Sequence, residues 1–173
     1  MELSFLYFLQ TLHNPVLDRI MIFFTSLGEF GTIWILTAIV LLCFQKYRPY
    51  GILMLVSMLV TFLIGEIGLK NLIMRQRPLI ADPAVPQLIP LPSGSSFPSG
   101  HTASSFTAAW ILWKANRKFG AAGLIIAFCV AFSRLYLFVH YPTDVLGGAV
   151  LGIFCAQCIY LLYQRLIRKK ASV

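Results

Sequence analysis

The chain has 173 residues, 58% of them apolar and only 12% charged, with a formal net charge of +8. That length allows one domain, and an average soluble domain is about 45–50% apolar with about twice this charge. The composition therefore excludes a disordered chain and an ordinary soluble domain. The basic residues fall between long apolar stretches, which leaves no charged face for nucleic acid. The four cysteines, Cys43, Cys129, Cys155 and Cys158, lie inside those stretches, against a secreted disulfide framework. The expected fold class is all-α, an integral membrane helical bundle forming a single domain over residues 1–173.

In chain order, residues 1–14 open with Leu3, Phe5, Leu6, Phe8 and Leu9 among polar residues. They are too few to cross a bilayer and predict an interfacial helix. With no basic start and no small-residue cleavage site, they do not read as a signal peptide. A hydrocarbon core about 30 Å thick needs about 20 apolar residues in a helix. A short span is expected over 30–44, extending back through 17–27 if Glu29 lies at the interface. Further spans are expected over 51–74, 98–113, 119–139 and 144–167, giving about five transmembrane helices. Between them, 75–97 is an extracytoplasmic loop. Six of the nine prolines lie between Arg77 and His101, a density that prevents regular structure. Its apolar residues (Leu79, Ile80, Val85, Leu88, Ile89 and Leu91) suggest a loop resting on the bilayer.

Orientation follows from the cations. Lys46, Arg48, Lys114, Arg117, Lys118, Arg165, Arg168, Lys169 and Lys170 make nine of the fourteen basic residues. With five spans they share one face, expected to be cytoplasmic, together with the C-terminus. The 75–97 loop, the 140–144 turn and the N-terminus then face the extracytoplasmic side of a plasma membrane of bacterial type.

Polar residues at membrane depth are costly and commonly functional, and here they collect at that outer end. Lys70 and Arg77 are seven residues apart, two helical turns, which projects them from one side of a helix, and Pro78 pushes Arg77 out of helical geometry to the helix terminus. Both also fit snorkelling to headgroups, and Lys70 fits an i,i+4 pair with Glu66. Pro98-Ser99-Gly100-His101 precedes an apolar helix. Proline suits the first helical position, and the free N–H groups of Ser99 and Gly100 in the first turn would bind an anion. A capped helix start with an incidental histidine fits the same residues. Then come Ser133-Arg134, His140 and Asp144. A carboxylate one turn from an imidazole accepts its Nδ1–H and leaves Nε2 as a lone pair, which makes His140 a candidate nucleophile or base. A satisfied interfacial histidine explains His140 alone, but not Arg134 and Asp144 with it. Such a set would bind a phosphoryl group and cut a bond to it, since phosphoryl transfer demands charge stabilisation and in-line positioning. The acids are too few and scattered for a two-metal site, so no metal and no cofactor is expected.

Read together, Lys70-x6-Arg77-Pro78, Pro98-Ser99-Gly100-His101 and Ser133-Arg134-x5-His140-x3-Asp144 resemble the three-part signature of the type 2 phosphatidic acid phosphatase (PAP2) superfamily. These are the membrane relatives of vanadium haloperoxidases. The resemblance covers the chain from the second span to the end of the fifth. It implies a metal-independent lipid phosphatase in which His140 attacks phosphorus and forms a phosphohistidine, held by Asp144. His101 would protonate the leaving oxygen and then activate water. Lys70, Arg77, Arg134, Ser99 and the Gly100 N–H would hold the phosphoryl oxygens. Family members commonly have six spans. The short form looks similar to the bacitracin-resistance type of undecaprenyl-diphosphate phosphatase, while phosphatidylglycerophosphate and phosphatidic acid phosphatases share the signature. The expected partners are a membrane lipid phosphate or diphosphate and the bilayer itself.

Two other classes use the same residue types. A lipid-phosphate transporter would place its site near the midplane between repeated halves, and no repeat is present. A vanadate-dependent haloperoxidase fits the signature but not the spans. Cys155 and Cys158 suggest a metal or redox pair, but on an apolar helix they read as packing residues.

Overall fold

The computed structural model describes residues 1–171, with side chains through Lys169. Residues 172–173 and the Lys170 side chain, one of the cations counted above, lie outside the described residues. All regular structure among the described residues is helical. α1 (Glu2–Gln10) and α2 (Pro15–Leu27) lead through a 3-10 turn to α3 (Thr32–Cys43). α4 (Arg48–Phe62) continues as a π-helical stretch, Leu63–Leu69, into α5 (Lys70–Ile73). The short α6 (Pro78–Ala81) and an irregular loop precede α7 (Gly100–Ala115), α8 (Arg117–Tyr136) and α9 (Pro142–Ala171).

About five crossings are expected, and by length and apolarity the described helices qualify unevenly. Three stretches are long and apolar enough by themselves: Arg48–Ala81, Arg117–Tyr136 and Pro142–Lys169. The first expected span is not straight. Asn14 caps α2 through its side chain, but Phe30 and Gly31 adopt φ of 50° and 67°. That break bends α2 and α3 by 48°, and the bent pair makes a fourth span only if taken as one. α7, with 16 residues, is shorter than a standard crossing.

α7 is the hub, packing against α4, α8 and α9. Its neighbours approach closely because they offer glycine: a Cβ on Gly148 of α9 would stand 2.6 Å from the Ser99 carbonyl oxygen. Small residues at helix contacts are the packing device expected in lipid. Polar bonds join α7 to α4 and α3: Thr61 and Thr107 hydroxyls lie 3.0 Å apart, and Trp34 Nε1 donates to Ser105 Oγ at 2.9 Å. Asn116 caps α8, accepting from Lys118 N and Phe119 N.

α1 lies on the protein rather than only on a bilayer. Leu6 and Leu9 are buried with Tyr136, Phe138 and Val139, the segment leading to His140. Leu79 belongs to the same cluster, and Val85, Leu88 and Ile89 pack against it. Most of the loop's apolar residues are thus spent on this cap, while Ile80 and Leu91 stay exposed. Helices α3, α4, α7, α8 and α9 each have the cap end at one terminus, so the turns bearing Lys46, Lys114, Arg117 and Lys118 fall at the opposite end.

Candidate active site

Six of the eight expected site residues line one cavity of about 470 Å³: Lys70, Arg77, Gly100, His101, Arg134 and His140. They arrive from α5, the loop, α7, α8 and the α8–α9 turn. The two imidazoles therefore share one chamber. Asp144 stands behind His140, fully buried, and Ser99 lies outside the lining.

Lys70 and Arg77 do not meet by helical periodicity. Met74 takes φ 47° and ends α5, and Arg77 is extended (φ −77°, ψ 153°) as the residue before α6. Proline at 78 disfavours helical geometry at Arg77, so the chain leaves the helix before the second cation and folds back. The guanidinium is then fixed from all sides. Nε donates to the Gly94 carbonyl at 3.1 Å, and Nη2 donates to the carbonyls of Ser93 at 3.0 Å and Ser95 at 3.2 Å. Nη1 donates to the Val139 carbonyl at 3.1 Å. Nη1 also lies 3.1 Å from His140 Nε2. Arginine only donates, so Nε2 accepts, and the His140 proton sits on Nδ1.

Nδ1 faces Asp144 Oδ2 at 3.6 Å, an ion-pair separation rather than a direct hydrogen bond. Ser96 bridges the two: its hydroxyl donates to Asp144 Oδ2 at 2.5 Å and lies 3.4 Å from Nδ1. Asp144 also accepts from the Tyr141 N–H at 2.8 Å and from Arg75 Nη1 at 2.7 Å. Burial drives the His140 imidazole well below the usual histidine range; Asp144 pulls the other way, and Arg134 and Arg77 add to the lowering. The ring is neutral, with its Nε2 lone pair toward the cavity.

α7 begins two residues later than proline at the first helical position would place it. Ser99 is the N-cap: its Oγ accepts from the Thr102 hydroxyl at 2.9 Å and, weakly, from Thr102 N at 3.5 Å. Its own N–H donates to the Asp144 carbonyl at 3.0 Å. The serine thus starts the helix and ties it to α9, while its own hydroxyl proton is not used by these bonds. Gly100 and His101 open the first turn, where backbone N–H groups have no partner inside the helix.

Lys70 pairs with Glu66 at 2.8 Å, and both line the cavity. The Glu66 carboxylate lies against Gly100, so a Cβ there would strike it. Arg134 is 2% exposed. One of its terminal nitrogens donates to Thr25 Oγ1, while its buried Nε has no hydrogen-bond partner among the described residues. A guanidinium with an unpartnered Nε, beside two other cavity cations, can receive an anion. Cys155 and Cys158 are free thiols that do not line it.

Arg75, Ser96 and Thr25 escaped the sequence reading. Ser96 is one of several serines in an irregular loop, and Thr25 lies 109 positions from its partner. Only the Arg75-x-Arg77 spacing hinted at a further cation here.

A family model described as the PAP2 superfamily matches residues 46–168. The chain is similar to the undecaprenyl-diphosphatase of Sulfolobus acidocaldarius, 33% identical over 137 residues, covering 79% of this chain and 66% of that protein. Undecaprenyl-diphosphatase BcrC of Bacillus subtilis is 34% identical over 145 residues, covering 82% of this chain and 72% of that protein. Among solved structures, the PAP2 type phosphatidylglycerolphosphate phosphatase from Bacillus subtilis superposes with a TM-score of 0.77 at 28% identity. It covers 94% of this chain and 84% of that one.

Proposed function

This chain belongs to the PAP2 superfamily, and its relatives there are membrane lipid phosphatases; from that premise we propose that it hydrolyses the diphosphate headgroup of undecaprenyl diphosphate at the outer leaflet. The products are undecaprenyl phosphate and inorganic phosphate. The observation that carries this reading is the single chamber in which Lys70, Arg77, Arg134, His101 and His140 meet.

The phosphoryl oxygens take the place now facing Arg77, Arg134 and Lys70, and the N–H groups opening α7 complete the cradle. His140 Nε2 exchanges its contact with Arg77 for phosphorus. The Nε2–P bond forms as the bond from phosphorus to the bridging oxygen breaks, and the lipid phosphate departs with a proton from His101. The Nδ1 proton stays on the ring, and Asp144, through Ser96, offsets the positive charge. Water then attacks the phosphohistidine, His101 takes its proton, and the N–P bond breaks to free phosphate and restore His140. Ser99 acts in this scheme by fixing the start of α7.

The cations of the opposite end support a cytoplasmic C-terminus and an extracytoplasmic cavity. The test is phosphate release by the purified protein from undecaprenyl diphosphate, phosphatidylglycerophosphate and phosphatidic acid in detergent. The first is expected to turn over with the highest kcat/KM, and His140→Ala is expected to abolish release from all three. A preference for phosphatidylglycerophosphate would reassign the substrate. Release unchanged by His140→Ala would remove the mechanism, and no release from any of them would favour a transporter.

A further inference from the structure

Arg75 does not line the cavity, yet it touches the carboxylate behind the nucleophile. Its Nη1 donates to Asp144 Oδ1 at 2.7 Å and to Thr143 Oγ1 at 2.6 Å. Its Nη2 donates to Glu2 Oε2 at 2.6 Å, and its guanidinium stacks 4.0 Å from the Tyr141 ring centre. The other oxygen of Glu2 accepts from the Thr143 backbone N–H at 3.0 Å and hydroxyl at 2.7 Å. Thr143 stands in the first turn of α9, so a carboxylate from the far end of the chain closes that helix start. The oxygens of Asp144 divide the work: Oδ2 serves His140 and Ser96, and Oδ1 serves Arg75.

Resting on the phosphohistidine reading above, we infer that Glu2 and Arg75 are positioning residues that set the charge Asp144 presents to His140, so that docking of α1 completes the active site. An arginine bound to Asp144 alone would neutralise it and weaken its hold on the cationic ring. An arginine shared with a second carboxylate neutralises it less. Glu2 therefore restores negative charge at Asp144, as needed when His140 becomes phosphorylated. It does so from α1, whose Leu6 and Leu9 pack on the Tyr136–Val139 segment and whose Tyr7 hydroxyl donates to Asp82 at 2.8 Å.

The variants are Glu2→Gln, isosteric but uncharged, and Tyr7→Phe, which removes one exposed hydrogen bond of α1 while Leu6 and Leu9 keep the helix docked. Both are made in the full chain and assayed on undecaprenyl diphosphate. Glu2→Gln is expected to lower kcat about tenfold, with KM within about twofold. The acid limb of its kcat/KM profile should move to lower pH, because a less negative Asp144 makes His140 less basic. In an Asp144→Asn background the same substitution should cost nothing more. Tyr7→Phe should leave kcat unchanged. Arg75→Lys, which keeps the charge but loses the fork shared by two carboxylates, should reproduce the kcat loss, and it serves if Glu2→Gln does not fold. An unchanged kcat in Glu2→Gln and Arg75→Lys, an equal loss with Asp144→Asn, or a rise in KM alone would overturn the relay. Persistence of turnover in His140→Ala would instead overturn the reading beneath it.

Discussion

Replacing Arg77 by lysine keeps the charge and removes the geometry. The arginine spreads donors over four carbonyls, those of Ser93, Gly94, Ser95 and Val139, and over His140 Nε2. A lysine ammonium has three donors leaving one point, so at least two of these five bonds are lost. Hydrogen bonds to a charged group contribute about 1.5–3 kcal/mol each, so the loss is about 3–6 kcal/mol, less whatever entering water restores. The loop residues 93–95 and the Nε2 orientation depend on the same side chain, so stability and turnover should fall together. For Arg77→Lys, phosphate release from undecaprenyl diphosphate in detergent should fall at least about 100-fold in kcat/KM, equivalent to about 3 kcal/mol. The temperature of detergent-solubilised unfolding should also fall. Free guanidinium should partly rescue Arg77→Ala and leave Arg77→Lys unaffected. Retention of kcat/KM within about threefold in Arg77→Lys would refute the assignment of a fork-shaped, many-partner role.

Further outcomes follow from the site's geometry. Gly100→Ala places a methyl against the Glu66 carboxylate, so KM should rise about tenfold while stability moves by no more than about 1 kcal/mol; titration with a non-hydrolysable diphosphate and a thermal melt check both. Ser96→Ala removes the 2.5 Å bond to Asp144 and should lower kcat about tenfold, in line with about 1–2 kcal/mol for one such bond. Because burial lowers the folded His140 value below 6.5, protonating the ring requires more acid than usual, and its active neutral form persists as pH falls. The acid limb of kcat/KM, corrected for substrate ionisation, should accordingly lie below the ordinary histidine midpoint; a midpoint near 6.5 would contradict this.

The sequence carried the helical class because apolar runs of crossing length are legible from hydropathy alone, as with α8 and α9. It carried the cavity's cations and histidines because charged groups inside such runs need a reason to be there. Pro78 marked Arg77 as leaving helical geometry, and Arg77 is extended. What the sequence did not carry is the exit already at Met74 and the return through the loop that brings Arg77 back to Lys70. Nor did it carry the N-cap role of Ser99, whose hydroxyl oxygen accepts from Thr102 at the α7 start. The bend between α2 and α3 depends on positive φ at Phe30 and Gly31, and phenylalanine gives no such hint. Glu2, Ser96 and Arg75 belong to contacts between distant segments, where no local spacing applies.

The brevity of α7 fixes the depth of the chemistry. Sixteen residues reach about 24 Å at about 1.5 Å per residue, some 6 Å less than a hydrocarbon core of about 30 Å. Its far end is held by Lys114 over the rings of Trp110 and Tyr160, side chains suited to the headgroup level. Measured from that anchor, His101 would lie beneath the opposite boundary of such a core. On the proposed function, a diphosphate would descend to meet it, and the isoprenoid chain would follow sideways into lipid without leaving its solvent. A bilayer thickened by longer acyl chains would bury the entrance further, so membrane thickness itself becomes a lever on turnover.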